Sequence, residues 1–403
     1  MTTPFATFRG IVACATLAAT LAACSALPRN PVPAGLAYEA VVPGMPDVRA
    51  HAGRPAPAME RDYLLSLRQE SPDDFPAGPD GTIRYPHLAL SGGGVNGAFG
   101  AGFLKGWTET GTRPVFKIVT GVSTGALMAP FAFLGPGHDE ALHRFYTTTT
   151  SGDVFTERSR MMALMRGDAL ASTAPLARLI ERYVDAALLA QVAQAHRQGR
   201  RLYMGTVDLD TRSFVVWNMG MIAGHGDERA LALFRKIMLA SSSVPIAFPP
   251  VLFEVEAGGR RHDEMHVDGF VWANVFLNAG LFQTSTLYER AGRGPAREDI
   301  FVIHNGQLTA PPASTPRSLR AVAVRTIDVS ARSSIVGDLY REYAFARRGN
   351  ADFHWITIDE RVRLPDLTAF DPSQMDGLYR AGYQAALDGP AWRNRPPGMS
   401  GGE

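Results

Sequence analysis

Residues 119–125 read VTGVSTG. A β-branched approach leads into a serine that has a glycine two places away on each side. The preceding VFKIVTGV (115–122) is an apolar run suited to a buried strand, and STGALMAPFAFL (123–134) reads as the helix that follows. Ser123 thus falls at a strand-to-helix turn in G-x-S-x-G spacing, where Gly121 and Gly125 remove side chains that would clash in the elbow. It also lies at a helix N-terminus, where backbone N–H groups and the helix dipole favour developing negative charge. Two roles fit that position: a nucleophile, or a residue that only caps the helix.

The same pattern occurs just upstream. YPHLALS (85–91) is a strand-like run meeting a glycine cluster, and AFGAGFLKGWTETG (98–111) has helical spacing. Strand, turn and helix twice in succession argue for a layered α/β domain. Gly92, Gly93, Gly94 and Gly97 share the first of these loops, which can turn its N–H groups inward to hold an anion. In a serine hydrolase that anion is the tetrahedral oxyanion; in a nucleotide enzyme it is phosphate. The glycines depart from the dinucleotide fingerprint, no Walker lysine follows, and no acidic residue ends a strand at the required distance. Nucleotide binding is therefore disfavoured.

Further along, 175–199 reads as one strong helix, and RLYMGTVDLD and SFVVWNM as two strands joined near Asp210–Arg212. ERALALFRKIMLASSS reads as a helix, DIFVIHNG (299–306) and FHWITID (353–359) as late strands, and 334–349 and SQMDGLYRAGYQAAL as helices. There is no fixed-period repeat and no interdomain linker after residue 85.

HVDGF (266–270) places Asp268 before a glycine, shortly after LASSSVPIAFPPV (239–251). With this block in view the chain resembles the patatin-like phospholipase family. SGGGVNGAFG (91–100) is similar to its oxyanion loop, GVSTG (121–125) to its nucleophile elbow, and Asp268-Gly269 to its catalytic aspartate motif, all in the family's order. The resemblance implies a three-layer α/β/α fold with a central, mostly parallel sheet. It also implies a Ser123–Asp268 dyad without histidine, an oxyanion hole from Gly92, Gly93 and Gly94, a loop supported by Asn96 and Gly97, and an elbow shaped by Gly121 and Gly125. Neither a cofactor nor a metal is expected. The implied reaction is hydrolysis of a carboxylic ester of a lipid, or of a smaller ester, through an acyl-enzyme. Chemically, a carboxylate with a pKa near 4 serves as base only if its surroundings desolvate it or fix it against the hydroxyl. Two departures stand out: Asn96 occupies a place where the family has Arg or Lys, and Phe270 replaces a glycine. Asn96 donates hydrogen bonds but has no charge, so acyl-ester hydrolysis in general is better founded than activity on anionic phospholipid.

Competing chemistries have their own residues. His304, ending FVIH, is the best candidate for a histidine triad, and His354 is the second. HDEMHVD (262–268) resembles a metal-binding run if the segment is a strand, because alternate residues then share a face. EVEAGGRRH ahead of it reads as a hairpin turn, which makes a wet polar loop the plainer account. Met161, Met162 and Met165 suit either a lid over an acyl pocket or ordinary packing.

The N-terminus reads as an export signal: Arg9, then the short apolar run GIVACATLAATLAAC. LAAC (21–24) resembles the bacterial lipobox, in which the cysteine is acylated after cleavage before it. The expected organisation is 1–23 signal peptide, 24–84 a lipidated Pro/Ala-rich tether, 85–390 acyl hydrolase domain, and 391–403 flexible tail. Acylation at Cys24 would place the domain on a bacterial envelope membrane, and Ser25 favours the outer membrane of a Gram-negative cell. Cleavage would also leave no free thiol, since Cys14 and Cys24 are the two cysteines. With 40 Lys+Arg against 39 Asp+Glu and no basic run, nucleic acid is a poor partner. The alternative from a different class is a lipid-binding or envelope-assembly lipoprotein that keeps the fold and has lost the chemistry.

Overall fold

The computed structural model describes residues 27–157, 169–277, 279–364 and 369–399. The expected signal segment and Cys24 lie outside the described residues, as do Met161, Met162 and Met165.

The apolar runs become strands because helices cover both of their faces. In chain order the strands are β1 (Arg49–His51), β2 (Ile83–Leu90), β3 (Ile118–Gly121), β4 (Thr156–Glu157), β5 (Ala171–Ser172), β6 (Arg201–Asp208), β7 (Ser213–Asn218), β8 (Val251–Ala257), β9 (Arg260–Asp268), β10 (Ala296–His304) and β11 (Asp352–Thr357). Five of them run parallel in the spatial order β6-β3-β2-β10-β11. β7 and β1 extend the sheet antiparallel past β6, while β4 and β5 pair separately. The helices that matter to the site are α1 (Pro57–Gln69), α2 (Gly97–Glu109), α3 (Thr124–Leu134), α4 (Glu228–Ser241), α5 (Leu319–Arg348) and α6 (Pro372–Leu387).

Side-chain alternation sorts the strands' residues between two cores. Leu88 and Leu90 of β2, with Leu202 and Met204 of β6, pack against α2, α3, α4 and α6. Ala89 and Tyr203, from the same strands, face the opposite side, where α1 and α5 supply Tyr63, Leu67, Ile335 and Leu339. The result is the expected three-layer α/β/α fold around a mostly parallel sheet. Among the described residues, no helix is long and apolar enough to cross a membrane.

Three segments differ from expectation. Residues 27–82 are not an extended tether. β1 pairs with β7, Val41 bridges Glu256, and α1 buries Met59, Tyr63 and Leu67 at four-residue spacing. Charge fastens the segment further: Asp62 takes the buried Arg201 guanidinium (2.6 Å), and Arg49 pairs with buried Glu264. Pro and Ala composition suggested a spacer, whereas the apolar stripe on α1 dictates docking. The tail behaves similarly as far as Met399. Trp392 packs on Trp107 and Phe103, and Arg393 bridges Trp355. Finally, 175–199 forms two helices, Ala174–Tyr183 and Ala186–Arg197, because Asp185 caps the second by accepting the Leu188 N–H (2.8 Å).

One feature of the sheet assembles the site. β3 and β9 share the same edge of β6: Gly121 lies opposite Met204 and Asp268 opposite Thr206. The end of β9 therefore meets the end of β3, although the two are far apart in sequence.

Candidate active site

Ser123 follows β3 at φ 55°, ψ −126°, a conformation an L-residue adopts only under constraint. Its carbonyl begins α3 by accepting from the Ala126 N–H (2.9 Å), while its hydroxyl makes no capping bond. The simple capping role is thus not how this side chain is used. Close packing holds the strained turn. A Cβ on Gly121 would lie 2.4 Å from the Gly125 carbonyl oxygen, and one on Gly125 would lie 2.2 Å from that of Leu90. The Ser123 N–H donates to Ser241 Oγ (3.0 Å), which donates to the Gly205 carbonyl (2.7 Å).

Asp268 ends β9 fully buried. Its N–H donates to the Ser243 carbonyl (2.9 Å), and Oδ1 accepts the Phe270 N–H (3.0 Å). Oδ2 has no hydrogen-bond partner among the described residues. Burial pushes the carboxyl up to about 7, against the restraining effects of the Phe270 N–H and the Ser123 hydroxyl. The Ser123 hydroxyl thus lies near enough to lower the pKa of this carboxyl, while no well-formed hydrogen bond to Oδ2 is present among the described residues. Gly269 is required here, since a Cβ would lie 2.7 Å from the Gly205 carbonyl oxygen. The run Ser241–Ser243 grips both residues, one through a side chain and the other through a carbonyl.

The glycine loop packs against this pair. A Cβ on Gly92 would approach Ser123 Cβ to 3.2 Å. The Gly92 N–H, expected as an oxyanion donor, is already engaged by the Asn274 carbonyl (3.1 Å). Gly93 and Gly94 adopt φ 156° and 56°, and their N–H groups have no acceptor among the described residues. Asn305 buttresses the loop from the end of β10. It donates from its N–H to Ser91 Oγ (2.9 Å) and from Nδ2 to the Ser91 carbonyl (3.0 Å), and its Oδ1 accepts the Gly100 N–H (3.1 Å). Asn96 is buried and donates its N–H to the Gly93 carbonyl (3.1 Å), while its Oδ1 has no partner among the described residues. Gly97 makes room for Thr124 Oγ1, which a Cβ would approach to 2.4 Å.

The histidines lie elsewhere. His304 is buried, hydrogen-bonded through Nδ1 to Thr357 Oγ1 (2.9 Å), and lowered to about 3 by burial and by Arg332. His354 stacks on Phe301 (centroids 5.0 Å apart). The metal-like run is β9, and Asp208, Glu264 and His266 bring ligand-type atoms within 4.8 Å of one another. These atoms are already committed. Glu264 takes the Arg49 guanidinium, His266 Nδ1 pairs with Thr206 Oγ1 (2.8 Å), and Asp208 accepts from Thr211 Oγ1 (2.6 Å). Burial raises the Glu264 pKa, but His266 and Arg49 outweigh it and hold the carboxyl down at about 2. The buried Arg49 guanidinium is the counter-ion of Glu264 in this cluster.

The sequence reading missed Ser91, Ser241, Asn274 and Asn305. Asn305 directly follows a strand end and Ser241 ends an amphipathic helix, but neither position signals its distant partner.

Comparison with known proteins gives a family model that matches part of the chain. Residues 88–281 match the sequence model described as "Patatin-like phospholipase". The matched segment, just under half of the chain, is similar to patatin-like phospholipases. The segment contains Gly92, Ser123 and Asp268. No curated protein matches the chain. Among solved structures, VipD from Legionella pneumophila is similar at 10% identity and TM-score 0.34, over 78% of this chain and 69% of that one. Human GIVD cytosolic phospholipase A2 gives 11% and 0.37, over 84% and 64%. Full-length ExoU of Pseudomonas aeruginosa, solved with SpcU, gives 15% and 0.30, over 76% and 71%. The chain therefore spans about two thirds of the length of each. An open groove lined by Trp355 and Arg393–Met399 lies at the β11 edge and includes none of the patatin-like site residues.

Proposed function

We propose that this protein is a serine acyl hydrolase of the lipase, phospholipase A or lysophospholipase type, working through a Ser123–Asp268 dyad. The observation that carries the proposal is a strained serine beside a fully buried carboxylate whose Oδ2 is unpartnered and whose pKa is raised to about 7. A desolvated carboxylate of that basicity can take a hydroxyl proton near neutral pH, which an ordinary aspartate cannot do efficiently.

In the proposed reaction Asp268 Oδ2 accepts the proton of Ser123 as Oγ attacks the ester carbonyl carbon. The carbonyl oxygen becomes the oxyanion and is held by the N–H groups of Gly93 and Gly94, with the dipole of α3 adding favourable potential. Gly92 serves the loop's shape and not the oxyanion. Collapse of the intermediate expels the alcohol, which leaves with the proton from Asp268, and the acyl group stays on Ser123. Water then attacks the acyl-enzyme, losing its proton to Asp268, and releases the fatty acid with Ser123 restored. A fatty-acyl ester is the substrate class that this site and the likeness to patatin-like phospholipases support. Export, acylation at Cys24 and attachment to the outer membrane complete the proposal and place lipid within reach.

Fluorophosphonate labelling followed by intact mass tests the chemistry on the chain starting at Ser25. Labelling should vanish in S123A, fall sharply in D268A and persist in H304A. Loss in H304A with D268A intact would sink the dyad, and a folded wild type that never labels would favour a lipid-binding role. Detergent-phase partitioning of the full chain against C24A tests the anchor: equal partitioning argues against acylation at that residue.

A further inference from the structure

The segment Ala273–Leu277 follows the turn that carries Asp268, and all five of its residues are buried although they belong to no strand. Its backbone groups therefore need partners from outside a ladder. α5 supplies two carboxylates one turn apart. Asp338 Oδ2 accepts the N–H groups of Asn274 (2.6 Å) and Val275 (3.3 Å), and Glu342 takes the N–H of Leu277. Thr120 of β3 donates to the Phe276 carbonyl, and Asn274 Nδ2 donates to the Ala331 carbonyl (2.9 Å). Asp338 is itself fixed, being 2% exposed, with Arg341 on its other oxygen and the Arg341 guanidinium over the Trp272 ring (4.8 Å).

The Val275 N–H and the Asn274 carbonyl belong to one planar peptide unit and point in opposite directions. Holding the N–H on Asp338 therefore aims the carbonyl at the opposite side, where it accepts the Gly92 N–H (3.1 Å). Gly92 is the first residue of the glycine loop and directly precedes Gly93 and Gly94, whose N–H groups have no acceptor among the described residues.

We propose that Asp338 is a positioning residue for the oxyanion loop, acting through the Asn274–Val275 peptide and the Gly92 N–H. This inference rests on the acyl-hydrolase reading above. Asp338 touches no reacting atom. Its role is to keep one peptide plane from rotating, and with it the two donors that meet the developing oxyanion.

The test compares wild type with D338A, which loses the acceptor, and D338N, whose side-chain oxygen can still accept the Asn274 N–H. Three quantities are measured: fluorophosphonate labelling rate, kcat and KM on a p-nitrophenyl ester, and the same constants on its thionoester. A thiono sulfur gains little from N–H donors, so the oxygen-to-thiono ratio reports the oxyanion hole separately from the nucleophile. Losing one oxyanion donor costs roughly 100- to 1,000-fold in kcat, and a misaimed loop should cost at least about 10-fold. In D338A, labelling and oxygen-ester kcat fall by that factor, the ratio falls with them, and KM stays near wild type. D338N recovers most of the loss. If D338A does not fold, D338S takes its place, since its hydroxyl is too short to reach Asn274. An unchanged ratio in D338A or D338S, whether both rates fall together or neither falls, overturns the proposal. A wild type that does not label, or an S123A that does, removes the underlying reading instead.

Discussion

If Asp268 is a desolvated base, the burial that gives it basicity must weaken the fold at high pH. Its pKa is about 7 in the folded chain, against about 3.9 in an unfolded one. Below pH 4 both states hold the proton and the group is neutral to stability. Between pH 4 and 7 the unfolded state ionises while the folded state does not, so stability falls as pH rises and the loss is complete above pH 7. A shift of about 3 units corresponds to about 4 kcal/mol at 1.36 kcal/mol per unit. D268N removes the titration while Oδ1 can still accept the Phe270 N–H. The stability difference between D268N and wild type should therefore grow in favour of D268N by about 3 kcal/mol between pH 5 and pH 8.5. Glu298 and Glu342, raised to about 7, and Asp338, raised to about 6, act the same way in both proteins and cancel in the difference. Urea unfolding of the two proteins at both pH values is the assay. The same titration should appear in function, with wild-type labelling rising through pH 7 and D268N staying slow throughout. A stability difference that is flat with pH, or that shrinks on going to pH 8.5, would refute the claim that burial tunes this base.

Three further outcomes are expected. S241A leaves the Ser123 N–H and the Gly205 carbonyl without their shared partner, costing about 1–3 kcal/mol and slowing labelling; an unchanged rate would show that Ser241 does not hold the elbow. E70Q breaks the buried pair with Lys117, whose ammonium lies 2.5 Å from Glu70, among the rings of Tyr63, Phe75 and Tyr85. Unfolding should become easier by about 3–5 kcal/mol with labelling of the folded protein unaffected, because this pair sits at the start of β3, away from Ser123. EDTA should leave labelling unchanged, since Asp208, Glu264 and His266 are engaged with Thr211, Arg49 and Thr206; loss that zinc or calcium restores would revive the metal reading.

Much of the site was legible because its parts are short-range. Gly121, Ser123 and Gly125 act within one turn, and the clashes that demand glycine come from the same elbow or from the adjoining strand end at Leu90. The strand-turn-helix alternation was legible for a similar reason, because parallel strands covered on both faces read as unbroken apolar runs. What was misread was composition without pattern. The Pro/Ala-rich stretch before β2 looked like a spacer, yet Met59, Tyr63 and Leu67 form a stripe that buries on the sheet. The glycines of the loop were recognised as a group, but nothing local distinguishes Gly92, whose N–H is spent on Asn274, from Gly93 and Gly94.

The sequence alone determined the central strand-turn-helix units, the elbow and the glycine loop, since backbone sterics and side-chain periodicity act between near neighbours. Only the tertiary structure decided that Asp268 meets Ser123, because that requires β9 to continue along the edge of β6 where β3 stops. It also decided the pKa of Asp268, which depends on how completely other segments exclude water from the carboxyl. The pairings of Ser241 with Ser123, of Asn305 with Ser91 and of Asp338 with Asn274 belong to the same class. Each joins residues brought together by packing, and hydrogen bonds of that kind leave no periodic trace in a chain.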